Sequence, residues 1–340
     1  MKITLHLGSV KTGSSSIQAC LSEGSGWFRQ GGWLVPEALK PRPSFDNHIV
    51  LPALFCDERH RQRLGRLAGQ GSSETNAAFA ERVHERFAQE IRRARRNGCD
   101  RMILSSEHLA SRVTRTEQIG KLRRWLEHFG EVQRIVVFLR RQDELWYSLY
   151  STRVKSGASV RFSTRGPSVD NHIFNHRLML EPWIDVFADT PMTALAFESE
   201  HFRSGSVVAV FLETLGIGQM ALRMPDAKNL SLDPEALEIL RRFNSVANRV
   251  VGRDRLRWVR ASLIRWLSRG DDGNRLQLGS AQARAVLENF VDCNSWLAGR
   301  FCDGEPFFRY GPPVQQVGKG LPELTPAQVL FVVLIRNLQR

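Results

Sequence analysis

Lys2-Ile3-Thr4-Leu5-His6-Leu7-Gly8-Ser9-Val10-Lys11-Thr12-Gly13-Ser14-Ser15 carries the reading that decides the fold, and Ser16-Ile17-Gln18-Ala19-Cys20-Leu21 completes it. Residues 2–7 alternate in polarity and read as a buried strand. Residues 16–21 read as the first turn of a helix. A strand, a tight glycine loop and a helix N-terminus form a phosphate cradle, because uncapped N–H groups and the helix dipole both favour an anion. Gly8 and Gly13 have the spacing of a P-loop, but Ser14-Ser15 stand where a nucleotide hydrolase has Lys-Ser/Thr, and the lysine has moved inside the loop to Lys11. The loop is P-loop-like and suits a different phosphate donor.

Outward from this loop, strands and helices alternate. Trp33-Leu34-Val35 predicts a short second strand ended by Pro36, and residues 75–97 predict a helix with Phe79, Val83, Phe87 and Ile91 on one face. Arg101–Ser106 reads as a third strand, 117–129 as a helix, and Arg134–Leu139 as a continuous apolar run typical of a central parallel strand. A helix over 143–155, a strand over 193–197 and a helix over 206–215 follow. The pattern predicts an α/β fold of three layers around a mostly parallel central sheet. Residues 40–75 read as an irregular insertion, while 233–250, 255–268, 280–299 and 325–337 read as helices, making the C-terminal part mainly helical.

Composition narrows the class. A chain of 340 residues, 42% hydrophobic and 24% charged, is ordinary for a globular protein. The formal net charge of +13 suggests an anionic ligand, nucleic acid or an acidic surface, although arginine far outnumbers lysine throughout. No helix-turn-helix, ribonucleoprotein or zinc pattern stands out, so nucleic acid is not expected as a partner. Five scattered cysteines without a CxxC pair argue against a disulfide framework and a zinc site. No leader is visible and no apolar run reaches the ~20 residues of a membrane span. A cytoplasmic protein without a transmembrane segment is therefore the expectation, with residues 329–335 leaving room for peripheral membrane contact. Oligomeric state is not legible.

In parallel sheets, ligands bind beyond the C-terminal strand ends. Three such ends are chemically loaded: Lys11 to Ser16, then Ser105-Ser106-Glu107-His108, then Arg140-Arg141 with Ser148 eight residues past Arg140. An arginine fork and a hydroxyl make a second anion clamp, so the donor would carry two separated phosphates.

On these residues the chain resembles the PAPS-dependent sulfotransferases (PAPS is 3′-phosphoadenosine 5′-phosphosulfate), in particular their bacterial branch. Lys11-Thr12-Gly13-Ser14-Ser15-Ser16 matches the family's 5′-phosphosulfate loop, and Arg140 with Ser148 matches its 3′-phosphate element. The resemblance implies one sulfotransferase-like domain over 1–340, with a donor-binding core over 1–220 and a helical part over 221–340. It implies PAPS as donor, no metal, and transfer of a sulfuryl group to a hydroxyl or amine of a glycan, glycolipid or other small acceptor. Lys11, Thr12, Gly13, Ser14, Ser15, Ser16, Arg140 and Ser148 are then the donor-binding residues.

Sulfuryl transfer passes through a loose, in-line transition state in which charge builds on the leaving oxygen. Lys11 would meet that charge, and Glu107 is the first choice of general base, with His108 and then His48 behind it. The family's C-terminal Arg-Lys-Gly segment is missing, and Arg153, Lys155 and Arg223 are candidates to replace it. Residues 37–75 and 157–176 would shape the acceptor pocket, and Trp27, Phe28, Trp33 and Phe45 would either stack on a ring or fill the core. Two other readings compete: a P-loop-type nucleotide kinase or NTPase, which lacks its lysine and a magnesium-binding acid here, and a non-catalytic anion-binding relative.

Overall fold

The structure is a computed structural model and describes residues 1–163, 165–198, 206–218, 232, 234–250, 257–268 and 280–309. In chain order the elements are β1 (Lys2–Leu7), α1 (Ser14–Glu23), α2 (Ser25–Gln30), β2 (Trp33–Leu34), α3 (Val50–Phe55), α4 (Glu58–Leu67), α5 (Asn76–Arg96), β3 (Arg101–Ser106), α6 (Leu109–Arg112), α7 (Thr116–Glu127), β4 (Glu131–Leu139), α8 (Gln142–Lys155), α9 (His176–Val186), β5 (Met192–Ala196), α10 (Val207–Thr214), α11 (Pro234–Val250), α12 (Arg257–Leu267), α13 (Ser280–Glu288) and α14 (Val291–Phe301).

The five strands form one sheet in the order β2-β3-β1-β4-β5, and every neighbouring pair is parallel. The chain leaves β1 for the β2-β3 edge, then crosses β1 to reach β4 and β5. β1 therefore sits where the strand order reverses, the place at which open parallel sheets bind ligands. Leu7 pairs with Ser106 on one side and Val137 on the other, so Gly8 emerges between two strand ends.

The pleat sorts side chains into two cores. Ile3, Leu5, Leu7, Met102, Leu104, Ile135, Val137 and Leu139 face one layer, packed against residues from α3, α4, α5, α7 and α9. Ile103, Val136 and Phe138 face the other, packed against Ile17, Cys20, Phe28, Val208 and Phe211 from α1, α2 and α10. Helix, sheet and helix make the three layers that the alternating elements predict.

Two compact units emerge. One comprises residues 1–141, 169–226 and 290–309 and contains the sheet; the other comprises 142–168, 227–289 and 310–340. The division is interleaved along the chain and does not fall at residue 220, because α8 associates with α11 and α13. In the second unit, Val154 packs with Leu237, Leu240, Phe243, Val259 and Leu263. Asn244 donates to the carbonyls of Val154 and Ala158 at 2.8 and 3.0 Å and accepts from Arg260 at 3.0 Å, so a buried amide ties three elements together.

Residues 40–75 are more ordered than their prolines suggest. Pro52 sits in the first turn of α3, where a missing N–H is harmless. Asp57 then caps α4 by accepting from the His60 N–H at 3.1 Å. The expected helix over 280–299 is two, α13 and α14, separated at residues 289–290. The expected helix over 325–337 and the apolar run at 329–335 lie outside the described residues.

Candidate functional site

Gly8 is the pivot of the site. Its N–H donates to the Ser106 carbonyl at 3.1 Å, and a β-carbon built on it would lie 2.5 Å from Glu107 Cα. Only glycine lets the loop after β1 and the end of β3 approach this closely. Gly13, at φ +74°, is the N-cap of α1 and contributes no side-chain cap, so the first N–H groups of α1 keep their anion-binding capacity. A β-carbon there would meet Val207 at 2.8 Å and Phe197 at 3.1 Å.

Within the loop, the hydroxyls divide into two sets. Thr12 and Ser14 are buried, and both donate to the Ser9 carbonyl, at 2.9 and 3.2 Å. They hold the loop's shape and face inward. Ser15 is exposed and Ser16 half-buried, so these two hydroxyls are accessible.

Lys11 also has a positive φ, 63°, a strained conformation for a residue with a side chain. Its ammonium forms no ion pair or hydrogen bond among the described residues. Burial lowers its pKa, the nearby Arg140 guanidinium lowers it further, and Glu107 opposes both. Arg140 donates to the Lys11 carbonyl at 3.3 Å and lies over the Phe197 ring at 5.6 Å. Buried His176 donates from Nε2 to the Arg140 carbonyl at 2.9 Å and fixes that strand end. Two cations and the Glu107 carboxylate thus converge beyond the C-terminal ends of β1, β3 and β4.

Ser105 and Ser106 are structural. Ser105 Oγ shares a 2.8 Å hydrogen bond with His6 Nδ1, its N–H donates to His48 Nδ1 at 2.9 Å, and Ser106 Oγ donates to Asn47 at 2.7 Å. His48 is fully buried, and burial followed by the charge of Lys40 pushes its pKa to about 3. With Nδ1 committed as an acceptor, His48 serves as a neutral strap along β3, which removes it as a general base. Glu107 remains accessible, with its side chain 39% exposed, and its carboxylate lies 3.6 Å from His108 Nε2. Burial, first, and the charges of Arg112 and Arg63 push His108 down, against Glu107.

Ser148 lies on α8 in the second unit, half-buried, with its carbonyl accepting from Thr152 at 3.0 Å; Arg153 and Lys155 lie on the same helix. Arg223 falls outside the described residues. Phe28 and Trp33 are core residues, and Trp33 pairs with Arg101 at the N-terminal end of β3, away from Lys11. No pattern in the sequence marks His176 as the anchor of Arg140, because one buried histidine looks like any other in a helical segment.

No family model matches the chain, and no solved structure matches it. The chain is similar to an uncharacterized protein of Archaeoglobus fulgidus, 29% identical over 153 residues. That match covers 43% of this chain and 39% of the archaeal protein, so the chain spans well under two thirds of its relative. No helix among the described residues is long and apolar enough to cross a membrane.

Proposed function

We propose that the protein is a sulfotransferase that moves a sulfuryl group from PAPS to a hydroxyl or amine of a small, lipid-linked or glycan acceptor, leaving adenosine 3′,5′-bisphosphate. The observation that carries this reading is the pair Lys11 and Arg140. Two cations side by side, one of them desolvated and without an ion-pair partner among the described residues, call for an anion of high charge.

The loop fits such a group. Gly8 and Gly13 let the loop close tightly against the Glu107 backbone and against Val207 and Phe197, and the first turn of α1 is uncapped. Lys11, the N–H groups of Ser14 and Ser15, and the hydroxyls of Ser15 and Ser16 would hold the 5′-phosphosulfate. Arg140 would hold the 3′-phosphate. PAPS supplies an activated sulfuryl group. Lys11 meets the charge that grows on the leaving phosphate oxygen, and Glu107 takes the acceptor's proton.

Titration calorimetry with adenosine 3′,5′-bisphosphate tests the reading. We expect binding that weakens at least tenfold in Lys11→Ala. Equal affinity of the wild-type chain for this nucleotide and for adenosine 5′-phosphate, or magnesium-dependent ATP hydrolysis, would replace the proposal with the nucleotide-kinase reading.

A further inference from the structure

Beyond Glu107, a second group of charges gathers around the turn that follows β3. Ser111 donates from Oγ to the Glu107 carbonyl at 3.4 Å. The Ser111 carbonyl in turn receives two donors, Arg112 Nη1 and His172 Nε2, each at 3.3 Å. His108 lies 3.6 Å from the Glu107 carboxylate. From α4, Arg63 acts electrostatically on His108, and His60 acts on His172.

Arg63, Arg112, His60, His108 and His172 therefore gather around the turn after β3, with His108 beside the accessible Glu107 carboxylate, all within the sheet-bearing unit. On α4 and its cap, Asp57 is occupied by His60 at 2.7 Å. Neither Arg63 nor Arg112 forms an ion pair among the described residues. Arg63 is exposed and Arg112 half-buried, so both guanidinium groups are within reach of a ligand. Guanidinium forks suit planar or tetrahedral oxyanions, and partly desolvated ones bind them most strongly.

We propose that this cluster is an acceptor subsite for an oxyanion, a carboxylate or a sulfate ester, carried on the same molecule as the hydroxyl that Glu107 deprotonates. The acceptor is then an acidic glycan or a similar hydroxylated acid. Arg63 and Arg112 bind the oxyanion, and His108 stands beside the Glu107 carboxylate at 3.6 Å. The proposal deepens the sulfuryl-transfer reading and rests on it for the word acceptor; the oxyanion site itself rests on the cluster.

The test is titration calorimetry on the full chain with three probes: a hexuronic-acid tetrasaccharide, its carboxyl-reduced counterpart, and a sulfated form of the latter. We expect one or both anionic probes to bind at least tenfold more tightly than the reduced one, and the tighter of the two identifies the oxyanion. Arg112→Gln and Arg63→Gln should each erase most of that preference while binding adenosine 3′,5′-bisphosphate within twofold of wild type. Arg63 is a surface residue of α4, so its variant carries the test even if Arg112→Gln fails to fold. Equal affinity for the three sugars, or a preference that survives both substitutions, overturns the subsite. A wild-type chain that prefers the acidic sugars yet ignores the nucleotide retires the donor reading and leaves the oxyanion site standing.

Discussion

The α-carbon of Glu107 lies where a side chain on Gly8 would have to go: the β-carbon of an alanine at position 8 would be 2.5 Å from it and 2.8 Å from the Glu107 nitrogen. Both neighbours are backbone, so no side chain can swing aside. The approach, with the Gly8 N–H donating to the Ser106 carbonyl at 3.1 Å, joins the phosphate-loop candidate to the strand end that carries the base candidate.

Gly8→Ala should therefore destabilise the fold by about 1–3 kcal/mol, the ordinary range for forcing extra volume into a packed place. Chemical denaturation would measure it. Because the strain falls on the backbone of Glu107, donor and acceptor functions should both decline in the fraction that stays folded. A variant as stable as wild type would mean that the loop and the β3 end separate freely.

Lys11→Ala should reduce turnover with PAPS by roughly 100- to 1,000-fold, the usual effect of deleting one charge-stabilising donor. The wild-type pH profile adds a sharper check. The Lys11 pKa lies below that of an ordinary lysine because burial and Arg140 both disfavour its charge. The charged form is present below the lowered pKa and lost above it, so nucleotide affinity should start to fall at a lower alkaline pH than a solvent-exposed lysine would dictate. Lys11→Arg should abolish that alkaline decline.

The sheet was legible because its strands are built from local patterns. β4 is a long apolar run, β1 alternates between two buried faces, and both stand next to loops with unmistakable breakers. The α3–α4 region was not legible: α3 is only six residues long and contains Pro52, and α4 is so rich in arginine that Leu64 alone marks its apolar side. Long-range pairing hid the remainder. Nothing near Lys40 in sequence shows that it is buried and donates to Ser22 at 2.9 Å, or that His176 reaches the carbonyl of Arg140. At the candidate site, residue types at strand ends were readable, but the inward turn of Thr12 and Ser14 depends on a single carbonyl, that of Ser9, and only coordinates reveal it.

Arg140→Ala should weaken adenosine 3′,5′-bisphosphate more than adenosine 5′-phosphate, by about tenfold or more, since a charge-assisted pair is worth roughly 1.5–3 kcal/mol. The guanidinium also donates to the Lys11 carbonyl, so Arg140→Lys is the informative companion: it retains charge but loses the fork. Parallel losses for both nucleotides would assign Arg140 to shaping the loop and not to reading the 3′ group. Competition binding with the two nucleotides distinguishes these outcomes.

The protein should lose stability in mild acid through its buried histidines. Burial pushes His6 and His48 to about 3 and His176 to about 4, whereas the unfolded chain titrates near the ordinary histidine value of ~6.5. Above that value all three are neutral in both states and add no penalty. As pH falls below it, the unfolded chain takes up protons that the folded chain refuses, so stability declines continuously towards pH 4 and is largely spent near pH 3. His48 is the cleanest probe, because its Nδ1 must remain bare to accept the Ser105 N–H. His48→Gln presents an amide oxygen to that N–H without a titrating group. It should cost stability at pH 7.5 but flatten the slope between pH 6.5 and 4, as read from denaturation midpoints. An unchanged slope in His48→Gln would show that the strap along β3 opens to water before the global fold does.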